Sequence, residues 1–302
     1  MPATGFICPK CGKRLTFDEA PEHLGSTGCQ VMMSAAVQAL INSTGDTRRG
    51  PEAGASASGA SPTTTCRLQV MLERFKDYDL DPRVLDEAEE GTNIHAIMLK
   101  RGVGNPDWIF EEVLPGPEDE GKPGVVRHES GFLEYELWPG VFFSCVVDAH
   151  TRDWSQIEDL KTTRSSSRIY PPDVSAKVQV SLAALMAERL RGAHVERLGI
   201  WKFFRGAYDR EKRWRYFEVE RWDEAALRQH SEEFMRSLCE MATGCRLAAA
   251  AGESELDAYL RGLPADGKVR QMFVSRKWPT GKCGNWCSVR ELCPAWKREV
   301  RL

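Results

Sequence analysis

Two aspartates and a lysine are the residues of this chain whose types and spacing best suit hydrolytic chemistry. Asp148 ends an apolar run, ten residues separate it from Asp159, and Lys161 follows two positions later. Ten residues leave room for a turn and a return strand, and residues two apart in a strand point to the same face. Carboxylates suit hard Mg²⁺, a bound metal activates water, and a nearby lysine orients that water or offsets phosphate charge. The set predicts metal-dependent phosphodiester cleavage, although a D-x-K triplet is common and solvated charges at strand ends are the alternative.

Three other residues are candidate additions to this site. His95 closes the segment Gly-Thr-Asn-Ile-His on a predicted helix, where a histidine is more often structural or solvated than a ligand. Glu129 precedes the first predicted strand and is a candidate metal-binding carboxylate, in competition with Glu134 and Glu136. Gln179 opens the helix after Lys161 and is expected to contact the site or a nucleic acid, unless it is simply a polar helix residue.

The elements that must position these residues alternate along the chain. Apolar periodicity and turn residues predict helices over 66–76, 86–100, 178–190 and 223–250. The same patterns predict strands over 131–138, 141–148 and 154–161, and a hairpin from 198–208 and 212–222. This order predicts an α/β (α+β) fold with a mixed central sheet flanked by helices.

Composition divides the chain into three expected parts. Residues 1–41 form a small module, residues 42–62 are rich in Gly, Ala, Ser and Pro and are expected to be a flexible linker, and residues 63–302 form the main domain. Net charge is −3, which argues against a surface coated in basic residues. No apolar run reaches the roughly 18 residues of a membrane span, so we expect a cytoplasmic protein without membrane contact.

Ten cysteines in a cytoplasmic protein favour metal sites over disulfides where they cluster. The N-terminal set Cys8, Cys11, His23 and Cys29 has the spacing of a small zinc knuckle.

A second cysteine set lies mainly near the last residues of the sequence. Cys283, Cys287 and Cys293 lie within eleven residues, and Cys66 is the candidate fourth ligand. Four cysteines suit an iron–sulfur cluster, and zinc is the competing ion.

Cationic and aromatic residues alternate in the predicted hairpin. The candidate nucleic-acid contacts are Lys202, Arg205, Arg213 and Arg215, interleaved with tryptophans, phenylalanines and tyrosines. Such a surface can stack bases and contact phosphates. The equally plausible alternative is an amphipathic hairpin with a solvated basic face.

The order of these motifs resembles a known family. The residues that carry the likeness are Cys66, the Gly91-x-x-x-His95 segment, Val147-Asp148, the Glu158-Asp-Leu-Lys-Thr162 segment, Gln179, Cys283, Cys287 and Cys293-Pro294. In this order they resemble the iron–sulfur RecB-type nucleases of the PD-(D/E)XK superfamily. That group includes CRISPR-associated RecB-like exonucleases, the AddB nuclease domain and phage exonucleases. The likeness spans about residues 60–296.

The resemblance implies a restriction-endonuclease-like core and a DNA exonuclease acting on single strands or free ends. It implies that His95, Asp148, Asp159 and the Leu160 carbonyl bind Mg²⁺ or Mn²⁺, with Lys161 assisting the attacking water. It also implies a structural 4Fe–4S cluster on the four cysteines, and partners in recombination, repair or CRISPR adaptation. The chain departs from the pattern in having three residues, not two, between Cys287 and its preceding cysteine.

Overall fold

The computed structural model describes residues 4–25, 28–31, 50–56, 59–62, 65–80, 106–163, 171–204, 214–264, 287 and 289–299. The described strands are β1 (Gly5–Ile7), β2 (Arg14–Thr16), β3 (Ala55–Ser56), β4 (Asp79–Leu80), β5 (Trp108–Leu114), β6 (Val125–Arg127), β7 (Leu133–Trp138), β8 (Val141–Thr151), β9 (Gln156–Thr163), β10 (Arg197–Phe204) and β11 (Trp214–Val219). The described helices are α1 (Ala20–Leu24), α2 (Arg67–Phe75), α3 (Val174–Arg191), α4 (Glu224–Leu227), α5 (Glu233–Ala251), α6 (Glu253–Gly262) and α7 (Pro294–Glu299). No described helix has the length and apolar character needed to span a membrane.

An eight-stranded mixed sheet dominates the fold. Its path is β11-β10-β9-β8-β7-β6, and β3 and β5 also pair with β8. The β9–β10 and β3–β8 pairs are parallel, whereas the other pairs of this sheet are antiparallel. Helix α3 packs on β9 and β10 and buries an almost continuous apolar surface, which includes Leu182 and Met186, against strand residues such as Ile200. The predicted mixed α+β class with helices against the sheet is confirmed.

Most predicted elements within the described residues are present, with shifted ends. Helix α2 matches the prediction for 66–76, and α3 begins four residues before the predicted start at 178 because the Asp173 side chain accepts a hydrogen bond from the Ala176 amide and caps it. The helix predicted over 223–250 is α4, a π-helical turn over Arg228–Glu232, and α5. The helix predicted over 86–100 lies outside the described residues.

The expectation of a flexible linker over 42–62 is wrong for its described C-terminal part. Strand β3 pairs in parallel with β8, and Ala53, Ala60 and Ser61 are buried. The Gly54 amide donates a 2.6 Å hydrogen bond to Oε1 of the buried Glu134. Small residues lack the periodicity of an ordinary strand, but here they let the backbone approach β8 closely. Residues 42–49 lie outside the described part of the chain.

The chain also divides differently from the three expected parts. One compact unit comprises 1–52, 65–90 and 241–302, and the other comprises 53–64 and 91–240. In the first unit, β1 pairs with β2 in an antiparallel hairpin and with β4 in parallel. The N-terminal module therefore shares a sheet with residues that follow α2. In the second unit, β3 and the strands β5–β11 form the large sheet.

Candidate active site and metal centre

The two aspartates lie where β8 and β9 stop pairing. The ladder between these strands contains the pairs His150–Ile157 and Ala149–Glu158, and the next residues are Asp148 and Asp159. Beyond the ladder, the Leu160 amide donates its hydrogen bond to Oδ2 of Asp148, at 2.7 Å. A carboxylate thus takes the place of a strand carbonyl, and the opening between the strands is lined by acidic groups.

Lys161, Asp159 and Gln179 form a closed triangle of hydrogen bonds. The Lys161 ammonium donates to Oδ1 of Asp159 at 3.0 Å and to Oε1 of Gln179 at 2.8 Å. The Gln179 amide nitrogen donates to the same Oδ1 at 3.1 Å. Because Gln179 comes from α3 and the other two from β9, helix packing fixes the orientation of both charged groups. With Asp148 beside this triangle, the structure brings together four of the site residues predicted from sequence.

The electrostatics of the triangle keep Lys161 charged. Burial alone would lower the pKa of Lys161, but the negative charges of Asp159 and Asp148 outweigh it and raise the pKa. A lysine with a raised pKa stays protonated at neutral pH, so it is a donor and a fixed positive charge and not a general base. Its side chain remains 33% exposed, which leaves it accessible to a ligand.

The donor set suits a divalent cation. Oδ2 of Asp159 is buried without a hydrogen-bond partner of good geometry, although the Lys161 ammonium lies 3.0 Å away. A buried carboxylate oxygen left in this state is costly unless a cation or water satisfies it. Carboxylate oxygens from Asp148 and Asp159 are the ligands that Mg²⁺ or Mn²⁺ prefers. These residues fit the expected metal.

Of the other predicted metal ligands, Leu160 adjoins Asp159 in β9, whereas Glu129 and His95 stay predictions. Glu129 is exposed in the turn between β6 and β7. Its competitors are engaged elsewhere: Glu134 binds the Gly54 amide and the His128 ring, and Glu136 accepts from the Gly140 amide. His95 lies outside the described residues.

One residue beside the site was missed from sequence. Glu111 of β5 has a positive φ of 56°, a conformation that is strained for a residue with a side chain. The β5–β8 ladder pairs Phe110 with Ala149 and Glu112 with Val147, so Glu111 and Asp148 are the residues between these pairs. No local sequence pattern marks such a position.

Three cations of the β9–β10–β11 part of the sheet lie side by side on one face. Lys161 pairs with Lys202 across the parallel ladder, and Lys202 pairs with Arg215 across the antiparallel one. Partners aligned in register share a face, so these three cations form a row next to Asp159. The Lys202 ammonium donates to the Pro171 carbonyl at 3.1 Å, and burial lowers its pKa despite the charge of Asp173.

Four aromatic residues of β10 and β11 occupy the other face. Trp201 pairs with Tyr216, and Phe203 pairs with Trp214. Ring centroids are 5.2 Å apart in the first pair and 4.7 Å apart in the second. These four rings therefore lie on the face opposite Lys202 and Arg215, because alternate residues of a strand point in opposite directions, whereas Phe204 lies on the face of Lys202. Arg205 and Arg213 lie outside the described residues.

The N-terminal candidate ligands form a compact cluster in the first unit. The ligand atoms of Cys8, Cys11, His23 and Cys29 lie within 4.8 Å of one another. Nε2 of His23 lies 3.3 Å from Sγ of Cys11 and 3.4 Å from Sγ of Cys29. Tetrahedral zinc with Zn–S of about 2.3 Å and Zn–N of about 2.0 Å places such atoms roughly 3.5 Å apart. This cluster can bind a metal such as zinc.

Local backbone structure brings these four ligands together. Cys8 and Cys11 lie in the turn between β1 and β2, where the Cys8 amide donates to the Lys13 carbonyl at 2.9 Å. Burial alone would raise the pKa of the Cys8 thiol, but hydrogen bonds from the Cys11 and Lys10 amides lower it to about 6. Gly28 allows the chain to return to the end of α1, because a Cβ there would lie 2.1 Å from the His23 carbonyl oxygen.

The second cysteine set is only partly described. Cys66 precedes α2 and is buried, Cys287 is buried, and Cys293 precedes α7. Their thiols do not converge on a single ion within the described residues. A cluster of several iron atoms spaces its thiolates farther apart than one ion does. Cys283 lies outside the described residues, so the iron–sulfur assignment stays a prediction.

Comparisons with known proteins give little further information. No protein-family model matches the chain, and no curated protein matches it. Among solved structures, it is similar to the crystal structure of SSO0001, with 16% identity and a TM-score of 0.37 over 69% of this chain and 83% of that one. A likeness at this level carries no argument about function.

Proposed function

We propose that this chain is a metal-dependent nuclease that hydrolyses DNA at the site of Asp148, Asp159 and Lys161. The observation that carries the proposal is the Lys161–Asp159–Gln179 triangle at the end of the β8–β9 ladder. A surface ion pair needs no third residue from a packed helix to orient it. Here the lysine and the carboxylate are held in one geometry, as hydrolysis of a phosphodiester requires.

Each residue has a role that follows from its contacts. Asp148 and Asp159 would hold Mg²⁺ or Mn²⁺, with the Leu160 carbonyl as a further ligand. The bound cation would supply Lewis-acid activation of water and charge neutralisation at the phosphate. Lys161 donates hydrogen bonds to the attacking water and places positive charge next to a non-bridging oxygen. Gln179 holds Asp159 and Lys161 in place, so that neither has to reorganise when the substrate arrives.

The remaining parts of the proposal concern the scaffold and the accessory metals. We propose that the large sheet with α3 is a restriction-endonuclease-like core. The N-terminal cluster would hold one structural Zn²⁺. A 4Fe–4S cluster on Cys66, Cys283, Cys287 and Cys293 would tie the two ends of the main domain's sequence together, far from each other along the chain.

The test is digestion of end-labelled DNA by the purified full-length chain. Single- and double-stranded substrates are incubated with Mg²⁺ or Mn²⁺, and then with EDTA. We expect metal-dependent loss of label that Asp159→Asn abolishes, because the variant keeps the shape of the side chain but loses its charge. Glu196→Gln is the matched control, since Glu196 is an exposed carboxylate in the loop before β10.

Cleavage by Asp159→Asn at the wild-type rate would refute the site. DNA binding without cleavage by the wild type, under all metal conditions, would favour the alternative function: a zinc or iron–sulfur protein that binds nucleic acid and does not cut it. The variant Lys161→Ala separates DNA binding from DNA cleavage, because it should retain most DNA binding while cleavage is lost.

A further inference from the structure

The row of cations on β9, β10 and β11 points away from the catalytic centre towards an edge of the sheet. Lys161 belongs to the centre, Lys202 is its partner on β10, and Arg215 is the next partner on β11. Strand β11 ends the order of the large sheet. Neighbouring strands are about 4.8 Å apart, so the row extends about 10 Å from Lys161.

We propose that this row guides the backbone of one DNA strand across β10 and β11 into the catalytic centre, with phosphates on Lys202 and Arg215. The inference rests on the proposed function and adds the path of the substrate. Its length of about 10 Å is enough for contacts with two neighbouring phosphates of one strand. A single line of cations suits one backbone, and the net charge of −3 agrees with a narrow basic track on an otherwise acidic chain.

Three cations in register favour a partner with repeated negative charges. Lys161 is paired with Asp159 within the triangle, and Lys202 donates a hydrogen bond to the Pro171 carbonyl near the charge of Asp173. A phosphate beside Lys202 would favour the charged form of its ammonium, whose pKa is lowered by burial. On the opposite face, Trp201 donates to Glu158 and Tyr216 lies near Glu158 and Glu218. These acidic groups repel phosphates and disfavour the aromatic face as the path, although Arg197 lies on that face as well.

The test measures binding of a fluorescent oligothymidine to the full-length chain, without added divalent metal, over a series of salt concentrations. Each phosphate contact on a single strand contributes about 0.7 to the slope of log K against log salt. We expect Lys202→Gln and Arg215→Gln each to reduce the slope by about 0.7 and to weaken binding several-fold, and Lys202→Arg to restore it. Arg197→Gln removes an exposed cation from the opposite face of β10 and should change neither quantity.

The opposite face supplies the result that would overturn the path. If Trp214→Ala weakens binding more than Lys202→Gln and Arg215→Gln do, the strand lies on the aromatic face. Wild-type affinity and slope in both cation variants would also refute it. Thermal unfolding of each variant identifies a folding defect, and Lys202→Arg with Arg215→Gln still tests the row if Lys202→Gln does not fold. Because binding is measured without cleavage, this result is independent of whether Asp159→Asn abolishes digestion.

Discussion

The substitution Gly54→Ala tests whether the small-residue segment before β3 is packed structure. A Cβ at position 54 would lie 2.5 Å from the carbonyl oxygen of Phe142 and 3.0 Å from its Cβ. Ordinary contacts need about 3.5 Å, so the segment would have to move by about 1 Å. The obstacle is mainly backbone in a central strand, which cannot rotate away as a side chain can. That movement also stretches the 2.6 Å hydrogen bond from the Gly54 amide to Glu134.

Overpacking of this kind costs about 1–3 kcal/mol, and a weakened buried hydrogen bond adds about 1 kcal/mol. We therefore expect a loss of about 2–4 kcal/mol in the free energy of unfolding. At about 2–4 °C per kcal/mol, the melting temperature should fall by about 4–16 °C.

Differential scanning calorimetry of the variant and of the wild type measures this change. Gly262→Ala is the matched control, because Gly262 lies in α6 and a Cβ there meets no atom within 4 Å. Equal melting temperatures for Gly54→Ala and the wild type would mean that the segment is loose, and the assignment of β3 to the core would be wrong.

Three other predictions concern the site, the charge network and the metal. Gln179→Leu should lower kcat about 10- to 100-fold with little change in KM, because Asp159 loses the amide that orients it. Steady-state cleavage rates measure this change, and an unchanged kcat would contradict the prediction. Burial alone would raise the pKa of Glu188, but Arg221 holds this pKa below its ordinary value. The ion pair therefore stabilises the folded state above about pH 4.3, and this stabilisation is lost as the pH falls through the lowered pKa. Urea unfolding should show Glu188→Gln about 1 kcal/mol less stable than the wild type at pH 7 and equally stable at low pH. His23→Ala should reduce bound zinc below one ion per chain by elemental analysis, whereas full retention would exclude the histidine as a ligand.

The grouping of the candidate site residues was predictable from sequence because these residues are close in the chain. Asp148, Asp159 and Lys161 lie on neighbouring strands joined by a short turn, so strand periodicity places them together. The N-terminal cluster of Cys8, Cys11, His23 and Cys29 was predictable for the same reason, since its spacing fits a knuckle. Gln179 was foreseen as a polar residue opening a helix, but its two hydrogen bonds depend on how α3 packs on β9.

Features that depend on distant pairing were not predictable. The segment from 53 to 61 has no apolar periodicity, and only its fit against β8 reveals it as structure. Strand β5 lacks strict alternation and contains the strained Glu111, so its pattern did not indicate a strand. The separation of cations from rings in β10 and β11 follows from register, which the hydrophobic pattern of an irregular hairpin specifies weakly.

The hydrogen bond from the Leu160 amide to Asp148 gives the chain an intrinsic spectroscopic reporter. The Leu160 amide nitrogen lies 2.7 Å from Oδ2 of Asp148. The chemical shift of the amide proton between them therefore follows the charge on that oxygen. Neutralising Asp148, by protonation or by a cation, withdraws electron density from the same group. The Leu160 resonance in a nitrogen-15 correlation spectrum would therefore follow occupancy of the carboxylate directly, without a substrate and without any label at the site.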